Sequence, residues 1–200
     1  MSLFVWLIGA YLVGSIPASL LVARIAKGID IRQHGSGNPG ATNVYRVCGP
    51  VPGIIAFAAD FLKGFLPVLL ALRYLGNGNP LSALAVGLAC ILGHVFTVFL
   101  RFKGGKGVAT GAGVFFALLP LPALFAFILF WVIFFLTGYI SLSSIAAAVF
   151  LPAYCWISRV PTAVSIVVTA VAAIIIYRHR TNIRNLIEGK EYKFSRKRTS

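Results

Sequence analysis

The sequence predicts an all-α polytopic integral membrane protein with about seven transmembrane helices, one of them short. Of its 200 residues, 59% are hydrophobic, and 18 Lys and Arg residues stand against four acidic ones. Runs without Asp, Glu, Lys or Arg cover residues 1–23, 74–100, 107–158 and 160–177, whereas about 20 apolar residues suffice for one helix to cross the hydrocarbon core. Soluble proteins carry about a quarter charged residues, so this composition excludes an ordinary soluble domain.

The basic residues concentrate in three patches that set the predicted orientation. The patches lie at residues 24–46, 101–106 and 178–198, and the positive-inside rule places all three on the cytoplasmic face. The uncharged link "GNGNPL" at residues 76–81 suits the outer face. No basic residue precedes the first run and no cleavage site follows it, so we expect a retained first span. The N-terminus is then outside and the C-terminus is cytoplasmic.

The stretch of 52 uncharged residues, 107–158, decides the number of spans. It starts at an inner patch and precedes a final run that ends inside, so it must cross the membrane an odd number of times. Three crossings require one short helix, and chain breakers fall at "PLP" and "TGY", where they are needed. Five spans with a re-entrant segment have the same parity and remain the alternative. The predicted spans are residues 3–23, 51–72, 81–100, 107–119, 122–136, 140–157 and 160–177.

Small and ionisable residues also occur inside these helices. Asp60 and Lys63 are i, i+3 neighbours on the second span, and His94 lies on the third. Intramembrane ionisable groups are candidates for function, but mutual neutralisation of Asp60 and Lys63 and a structural role for His94 are favoured. Close helix packing in lipid is the expected role of six glycines: Gly9, Gly14, Gly87, Gly93, Gly111 and Gly113.

The first inner loop contains "GSGNPGATNVYR", residues 35–46. Its glycines let backbone N–H groups turn toward an anion, its hydroxyls and amides add neutral donors, and Arg supplies a fork that matches phosphate. An ordinary flexible loop explains the same composition equally well. The candidate anion ligands are Ser36, Gly37, Asn38, Thr42, Asn43 and Arg46.

The second inner loop contains "FKGGKGVATGAG", residues 102–113. Lys103 and Lys106 flank Gly104 and Gly105 just before a predicted helix, and a helix N-terminus beside a lysine favours anions. A topology signal followed by a simple turn is the alternative. The spacing of a Walker-type nucleotide loop is absent.

The third patch, "YRHRTNIRNLIEGKE" at residues 177–191, begins at the inner end of the last span. His179 and Asn182 are spaced i, i+3 and are therefore predicted to share one helix face. The arginines nearby are predicted to anchor the protein at the membrane surface. A histidine and an amide on one face suggest that they share an anion site with the two loops.

Carboxylates are scarce, and their scarcity excludes several reaction classes. Asp30, Asp60, Glu188 and Glu191 are the whole set, too few near the inner loops for two-metal phosphoryl chemistry or a glycosidase pair. No histidine has an aspartate five residues on, so the His-x4-Asp motif of soluble-domain glycerolipid acyltransferases is missing. The remaining cations and neutral donors suit phosphates.

The motifs together resemble the bacterial membrane-embedded acyl-phosphate:glycerol-3-phosphate acyltransferases. The resemblance rests on "GSGNPGATNVYR", "DFLKG", "LGHVF", "FKGGKGVAT" and "HRTNIRNLIEGKE", and it runs from "GSIP" at residues 14–17 to Glu191. It implies seven spans, a cytoplasmic active site and transfer of an acyl group from acyl-phosphate to the sn-1 hydroxyl of glycerol 3-phosphate. It also implies no metal or other cofactor and no direct use of acyl-CoA or acyl carrier protein.

The resemblance assigns roles to residues in all three patches. Residues 1–192 would form a single transmembrane acyltransferase domain, and residues 193–200 a basic cytoplasmic tail. The expected location is the bacterial cytoplasmic (inner) membrane, with membrane lipids and the soluble enzyme that makes acyl-phosphate as partners and no nucleic acid. Lys106, His179 and Arg46 are the expected catalytic residues. Phosphate or glycerol phosphate would be bound by Ser36, Gly37, Asn38, Thr42, Asn43, Lys103, Gly104, Gly105, Ser144 and Asn182.

One alternative function belongs to another class of protein. Broken helices whose N-termini face an anion are also a feature of membrane transporters, so a transporter or channel for phosphorylated metabolites would use similar loops. The clustering of polar groups at one face, rather than at mid-membrane, favours the acyltransferase.

Overall fold

The computed structural model describes residues 2–75 and 80–194, and all regular secondary structure in these residues is helical. Single turns of 3₁₀ helix occur at Ile31–Gln33 and Val98–Leu100. The α-helices are α1 (Leu3–Ser15), α2 (Ala18–Lys27), α3 (Ala41–Cys48), α4 (Pro50–Tyr74), α5 (Pro80–Val95), α6 (Val108–Leu118), α7 (Pro120–Thr137), α8 (Ile140–Ile157), α9 (Thr162–Arg178) and α10 (Arg180–Ile187).

Helices long and apolar enough to cross a membrane confirm the predicted fold class. Within the described residues there are five, and six if α9 and α10, which meet at 57°, count as one span. The short helix predicted at residues 107–119 is α6, with 11 residues. The number of spans and the orientation of the termini stay predictions. Residues 76–79 of the predicted outer link and residues 195–200 of the predicted tail lie outside the described part.

The predicted first span, residues 3–23, is two helices instead of one. The chain breaks at Ile16 and Pro17, because proline has no N–H to continue the ladder of α1. The Leu3–Lys27 segment is nevertheless long and apolar enough to span. The predicted third span, residues 81–100, likewise ends as an α-helix at Val95 and continues as a 3₁₀ turn.

Contacts between the chain's helices define two compact units, one ending at Pro120 and the other beginning at Leu121. In the first unit, glycines allow two helix pairs to approach closely. An added Cβ at Gly14 of α1 would overlap the carbonyl of Cys90 on α5, and one at Gly113 of α6 would overlap the carbonyl of Phe61 on α4. A packing role is thus confirmed for these two glycines.

Of the other glycines predicted to pack closely, Gly93 and Gly87 have near neighbours and Gly9 has none. An added Cβ at Gly93 would overlap the carbonyl of Tyr11, and one at Gly87 would come within 2.5 Å of a Val114 methyl group. Nothing lies within 4 Å of the Gly9 position, so the packing role predicted for Gly9 is wrong.

An apolar cluster in the first unit supports the loop that precedes α3. It joins α2, both 3₁₀ turns, α3 and α4, because each contributes a small or branched side chain with little or no exposure. Its members are Leu20, Ala23, Ile31, Val44, Ala56 and Leu100. In the second unit, α8 packs on α9, with Val164, Val168 and Val171 buried.

Candidate active site

The first loop, residues 35–40, is folded around the side chain of Asn43. The Asn43 amide oxygen accepts the backbone N–H of Ser36 at 2.9 Å. Its Nδ2 lies 2.9 to 3.2 Å from three carbonyl oxygens, those of Ile31, His34 and Asn38. Because Asn43 is only 1% exposed, its amide is committed to the protein's own backbone.

Helix α3 has a buried side, which carries Asn43, and a more accessible side, which carries Thr42 and Arg46. Thr42 and Arg46 are i, i+4 neighbours on it, and both are half-buried, whereas Asn43 and Val44 are buried. The exposed Ser36 precedes this helix. The side chains of Ser36, Thr42 and Arg46 are thus at least partly accessible, while the amide of Asn43 is used to hold the loop.

The glycine loop, residues 103–107, packs against the end of α5. The N–H of Gly104 donates to the Val95 carbonyl at 3.1 Å, and that of Gly105 donates to the His94 carbonyl at 3.2 Å. The close approach leaves no room for side chains, because an added Cβ at Gly104 would overlap the His94 carbonyl and one at Gly105 its imidazole. The loop ends at Gly107, whose φ of 86° starts α6.

Several backbone amides predicted to face an anion are already used within the loops. Besides Gly104 and Gly105, Gly37 donates its N–H to the His34 carbonyl at 3.0 Å. Buried or turn amides must be hydrogen-bonded, and here the nearest carbonyls satisfy them. These N–H groups could bind a phosphate only if their bonds to the carbonyls were broken. Anion binding by these loops is therefore expected to depend mainly on side chains.

The two loops converge in the first unit. Pro39 of the first loop and Gly104 and Gly105 of the glycine loop border the same small cavity, about 10 Å³ in volume. Lys106 follows Gly105 directly and is half-buried, whereas Lys103 is exposed. The structure thus brings together two segments separated by more than sixty residues in the sequence.

All four carboxylates of the chain have polar partners. Asp60 and Glu191 are buried, and Glu188 contacts Lys190 at 2.9 Å. Asp30 forms an ion pair with Arg32 at 2.6 Å, and the hydrogen bond from Arg32 lowers the pKa of Asp30 to about 2. No group of three His, Cys, Asp or Glu side chains in the described residues has the arrangement of a metal site.

In the second unit, His179 lies at the bend between α9 and α10. It ends one helix and starts the next, so the prediction that His179 and Asn182 share the face of a single helix is wrong. Its Nδ1 lies 2.8 Å from the Ile175 carbonyl. Because a carbonyl oxygen only accepts, Nδ1 carries the proton in this contact, and Nε2 is the nitrogen suited to proton transfer.

A carboxylate that the sequence analysis did not select holds Asn182. One oxygen of Glu191 accepts both the Asn182 amide and the Ser141 hydroxyl, each at 2.7 Å. Glu191 is only 8% exposed. Two acidic residues stand among the cations of the third patch, Glu188 and Glu191, and nothing in the sequence indicates which of them holds Asn182.

Ser144 of α8 uses its hydroxyl within its own helix. It donates to the Ile140 carbonyl at 2.8 Å, a common arrangement for serine in apolar helices. Ser141, one turn earlier on the same helix, is the serine that connects to the third patch through Glu191.

The ionisable residues of α4 and α5 also meet in the first unit. Lys63 Nζ lies 2.7 Å from Asp60 Oδ1, and His94 Nδ1 lies 3.6 Å from the same oxygen. The Ser19 hydroxyl donates to the other oxygen of Asp60 at 2.9 Å. Sequence reasoning paired Asp60 with Lys63 but did not bring His94 and Ser19 to the same point, since no spacing rule links residues on three helices.

Comparisons with known proteins identify one family over nearly the whole chain. Residues 4–189 match the sequence model of the glycerol-3-phosphate acyltransferase family. The glycerol-3-phosphate acyltransferase of Geobacter sulfurreducens is 54% identical over 186 residues, which cover 92% of this chain and 94% of the relative. That of Endomicrobium trichonymphae is 50% identical over 188 residues and covers 94% of both chains.

Two solved structures are similar to the whole described fold. Both are crystal structures of PlsY (YgiH), an integral membrane glycerol 3-phosphate acyltransferase. The glycerol 3-phosphate form has a TM-score of 0.92 and 44% identity. The lysophosphatidic acid form has a TM-score of 0.89 and 43% identity. Each comparison covers 98% of this chain and 96% of the solved one.

Proposed function

Since the chain belongs to the glycerol-3-phosphate acyltransferase family, we propose that it transfers a fatty acyl group from acyl-phosphate to the sn-1 hydroxyl of glycerol 3-phosphate. The products are lysophosphatidate and inorganic phosphate, so the reaction is the first committed step of phospholipid synthesis. The similar solved structures were obtained in glycerol 3-phosphate and lysophosphatidic acid forms, which supports the proposed acceptor and product.

The observation that carries the proposal is that the first loop and the glycine loop are neighbours, since Pro39 of one and Gly104 and Gly105 of the other border the same small cavity. Arg46 follows one loop and Lys106 belongs to the other. Both proposed substrates carry a phosphate, and Arg and Lys are the side chains that bind phosphate most strongly.

The proposed mechanism is direct acyl transfer. The acceptor hydroxyl oxygen bonds to the carbonyl carbon of acyl-phosphate, and the bond from that carbon to the phosphate oxygen breaks. The phosphate departs with the electron pair, and the hydroxyl proton passes to a phosphate oxygen of the donor. Acyl-phosphate is already an activated anhydride, so the protein mainly orients the hydroxyl and stabilises developing negative charge.

The side-chain roles follow from this mechanism. Arg46 and Lys106 neutralise phosphate charge, and Lys103, being exposed, assists less. Neutral donors to the phosphates are assigned to Ser36, Asn38, Thr42 and Asn182, whereas His179, whose Nδ1 proton is used by the Ile175 carbonyl, donates to phosphate through Nε2 only as the imidazolium. We assign Asn43 to holding the first loop, because all its amide atoms are engaged there.

His179 is the alternative proton acceptor. Its Nδ1 contact fixes Nε2 as the nitrogen that would receive the proton. If His179→Ala raises the Michaelis constant for glycerol 3-phosphate and leaves turnover unchanged, the histidine binds phosphate and the donor phosphate remains the base. Trapping of an acyl group on a serine would contradict direct transfer.

The donor is tested by supplying one acyl compound at a time. Purified protein in lipid receives glycerol 3-phosphate with acyl-phosphate, acyl-CoA or acyl carrier protein, and lysophosphatidate is measured. We expect product from acyl-phosphate alone. Product only from a thioester would replace the proposed donor, and a 2-acyl product would replace the proposed position of transfer.

The proposed location is the bacterial inner membrane, with the site on the cytoplasmic side. The basic patches support this orientation through the positive-inside rule. The donor would then be reached from the cytoplasm, where a soluble enzyme can supply it. Cysteine labelling of the Lys103 position in sealed cells tests the orientation, because an impermeant reagent added outside should not reach it.

A further inference from the structure

A buried group of charges in the first unit has no part in the proposed acyl transfer. Asp60, Lys63 and His94 are 2%, 8% and 8% exposed, and both basic groups face the same carboxylate oxygen. Ionisable side chains inside membrane helices are costly. Lys63 alone neutralises the charge of Asp60, so charge balance does not explain why His94 also contacts this carboxylate.

On one side, this charge cluster holds the break between α1 and α2. Lys63 Nζ donates to the Ile16 carbonyl at 2.9 Å, and the Ser19 hydroxyl donates to Asp60 at 2.9 Å. Carbonyls at a helix break lack the usual intrahelical donors. The lysine supplies such a donor and so fixes where the broken helix meets α4.

On the other side, the cluster contacts the glycine loop through His94. The His94 carbonyl accepts the Gly105 N–H at 3.2 Å, and the imidazole lies against the Cα of Gly105 so closely that an added Cβ would overlap its Nε2. The next residue, Lys106, carries the charge assigned to substrate phosphate. A shift of the imidazole would therefore move the backbone that places Lys106.

The same cavity connects the cluster to the first loop. Asp60, Lys63 and His94 border it together with Gly104, Gly105 and Pro39. Its volume of about 10 Å³ is room for about one water molecule. The cluster thus lies where the broken first helix, the first loop and the glycine loop meet.

We propose that Asp60, Lys63 and His94 are positioning residues that hold the glycine loop, and with it Lys106, at the place where substrate phosphate binds. The inference rests on the proposed function, because it takes Lys106 as a phosphate ligand. His94 is the member that transmits the position, since it contacts both Asp60 and Gly105.

The test is a double-mutant cycle between His94 and Gly105. Gly105→Ala should displace the imidazole. His94→Asn keeps a polar atom near Asp60 and removes the far side of the ring, where the alanine methyl would lie. Wild type, both single variants and the double variant are compared for turnover, the Michaelis constant for glycerol 3-phosphate and the unfolding midpoint in detergent.

We expect Gly105→Ala to raise the Michaelis constant about tenfold with a smaller change in turnover, and the double variant to return to the value of His94→Asn. The unfolding midpoints should stay similar, which separates positioning from a general loss of structure. An unaffected Gly105→Ala variant, or a double variant no better than Gly105→Ala, would overturn the proposal.

A second readout keeps this test separate from the proposed reaction. The rise in unfolding midpoint caused by inorganic phosphate is measured for the same four proteins. If the wild type makes no lysophosphatidate, the proposed function fails. The rise in unfolding midpoint with phosphate still decides whether the cluster positions the glycine loop. A shift that is lost in Gly105→Ala and regained in the double variant supports it, whereas an equal shift, or none, in all four proteins contradicts it.

Discussion

The side-chain oxygen of Asn43 accepts the backbone N–H of Ser36 at 2.9 Å, across the bend of the first loop. The same side chain donates from Nδ2 to three carbonyls. Asn43→Ala should therefore lower the free energy of unfolding by about 1–3 kcal/mol, because the Ser36 N–H loses its acceptor and three carbonyls, which keep a backbone donor, each lose a second one. Thermal unfolding in detergent measures this loss, and activity should fall with it.

Ser36→Ala is the matched control for Asn43→Ala. It keeps the backbone N–H that Asn43 accepts and removes only an exposed hydroxyl. Activity should fall while the unfolding midpoint stays within about 2 °C of wild type, since surface substitutions of this kind cost less than about 0.5 kcal/mol. Equal destabilisation by both substitutions would show that the loop is not held by Asn43.

Lys106 and Lys103 are two lysines of the same loop with different exposure, and they offer a direct comparison. Lys106→Ala should reduce kcat/KM by about 10²–10³, the range found when a charge-stabilising donor is removed. Lys103→Ala should cost less than tenfold, because the exposed Lys103 ammonium is screened by water. Steady-state assays with varied glycerol 3-phosphate distinguish the two, and a larger loss at Lys103 would reverse their assignment.

The backbone breaks were harder to predict from sequence than the membrane helices. The apolar runs predicted α4, α8 and α9 closely, because long uncharged segments have few alternatives in lipid. The break at Ile16 depends on the proline that follows it and on contacts with neighbouring helices. The bend at His179 lies in a short basic segment, where no pattern of apolar residues indicates that one helix ends and another begins.

The residue types in the motifs predicted the class of enzyme, but they did not predict which contacts each side chain makes. The motifs indicated an acyltransferase, and the family comparison confirms this and favours it over a transporter. The sequence placed Asn43 among phosphate ligands, although the structure uses it to hold the loop. Such roles depend on which groups lie nearest in space. The contact of His94 with Asp60 and that of Asn182 with Glu191 likewise join residues whose proximity no sequence spacing indicates.

The approach of α6 to α4 depends on Gly113. An added Cβ there would overlap the Phe61 carbonyl, so Gly113→Ala must push the two helices apart and should destabilise the protein by about 1–3 kcal/mol. Gly9→Ala is the control, because Gly9 lies in a helix with nothing within 4 Å. Alanine at position 9 should be neutral or stabilising by up to about 1 kcal/mol. Similar unfolding midpoints for the two variants would contradict the packing role.

Glu191 offers the sharpest test of how the third patch is organised. Its Oε1 holds the amide of Asn182 and the hydroxyl of Ser141, both at 2.7 Å. Glu191→Ala should release Asn182 and reduce kcat/KM about as much as Asn182→Ala does. The double variant should be little worse than either single one, because residues that act through one contact are not additive.

Two further variants separate the charge of Glu191 from its geometry. Glu191→Gln keeps an acceptor oxygen for Asn182, so it should retain more activity than Glu191→Ala. Glu188→Gln removes a carboxylate from the same segment that is exposed and paired with Lys190, and it should leave activity within about twofold of wild type because exposed ion pairs contribute little. Steady-state kinetics and unfolding midpoints are measured for all of these variants. Additive losses from Glu191→Ala and Asn182→Ala would mean that Glu191 acts independently of Asn182, and the contact between them would then be only structural.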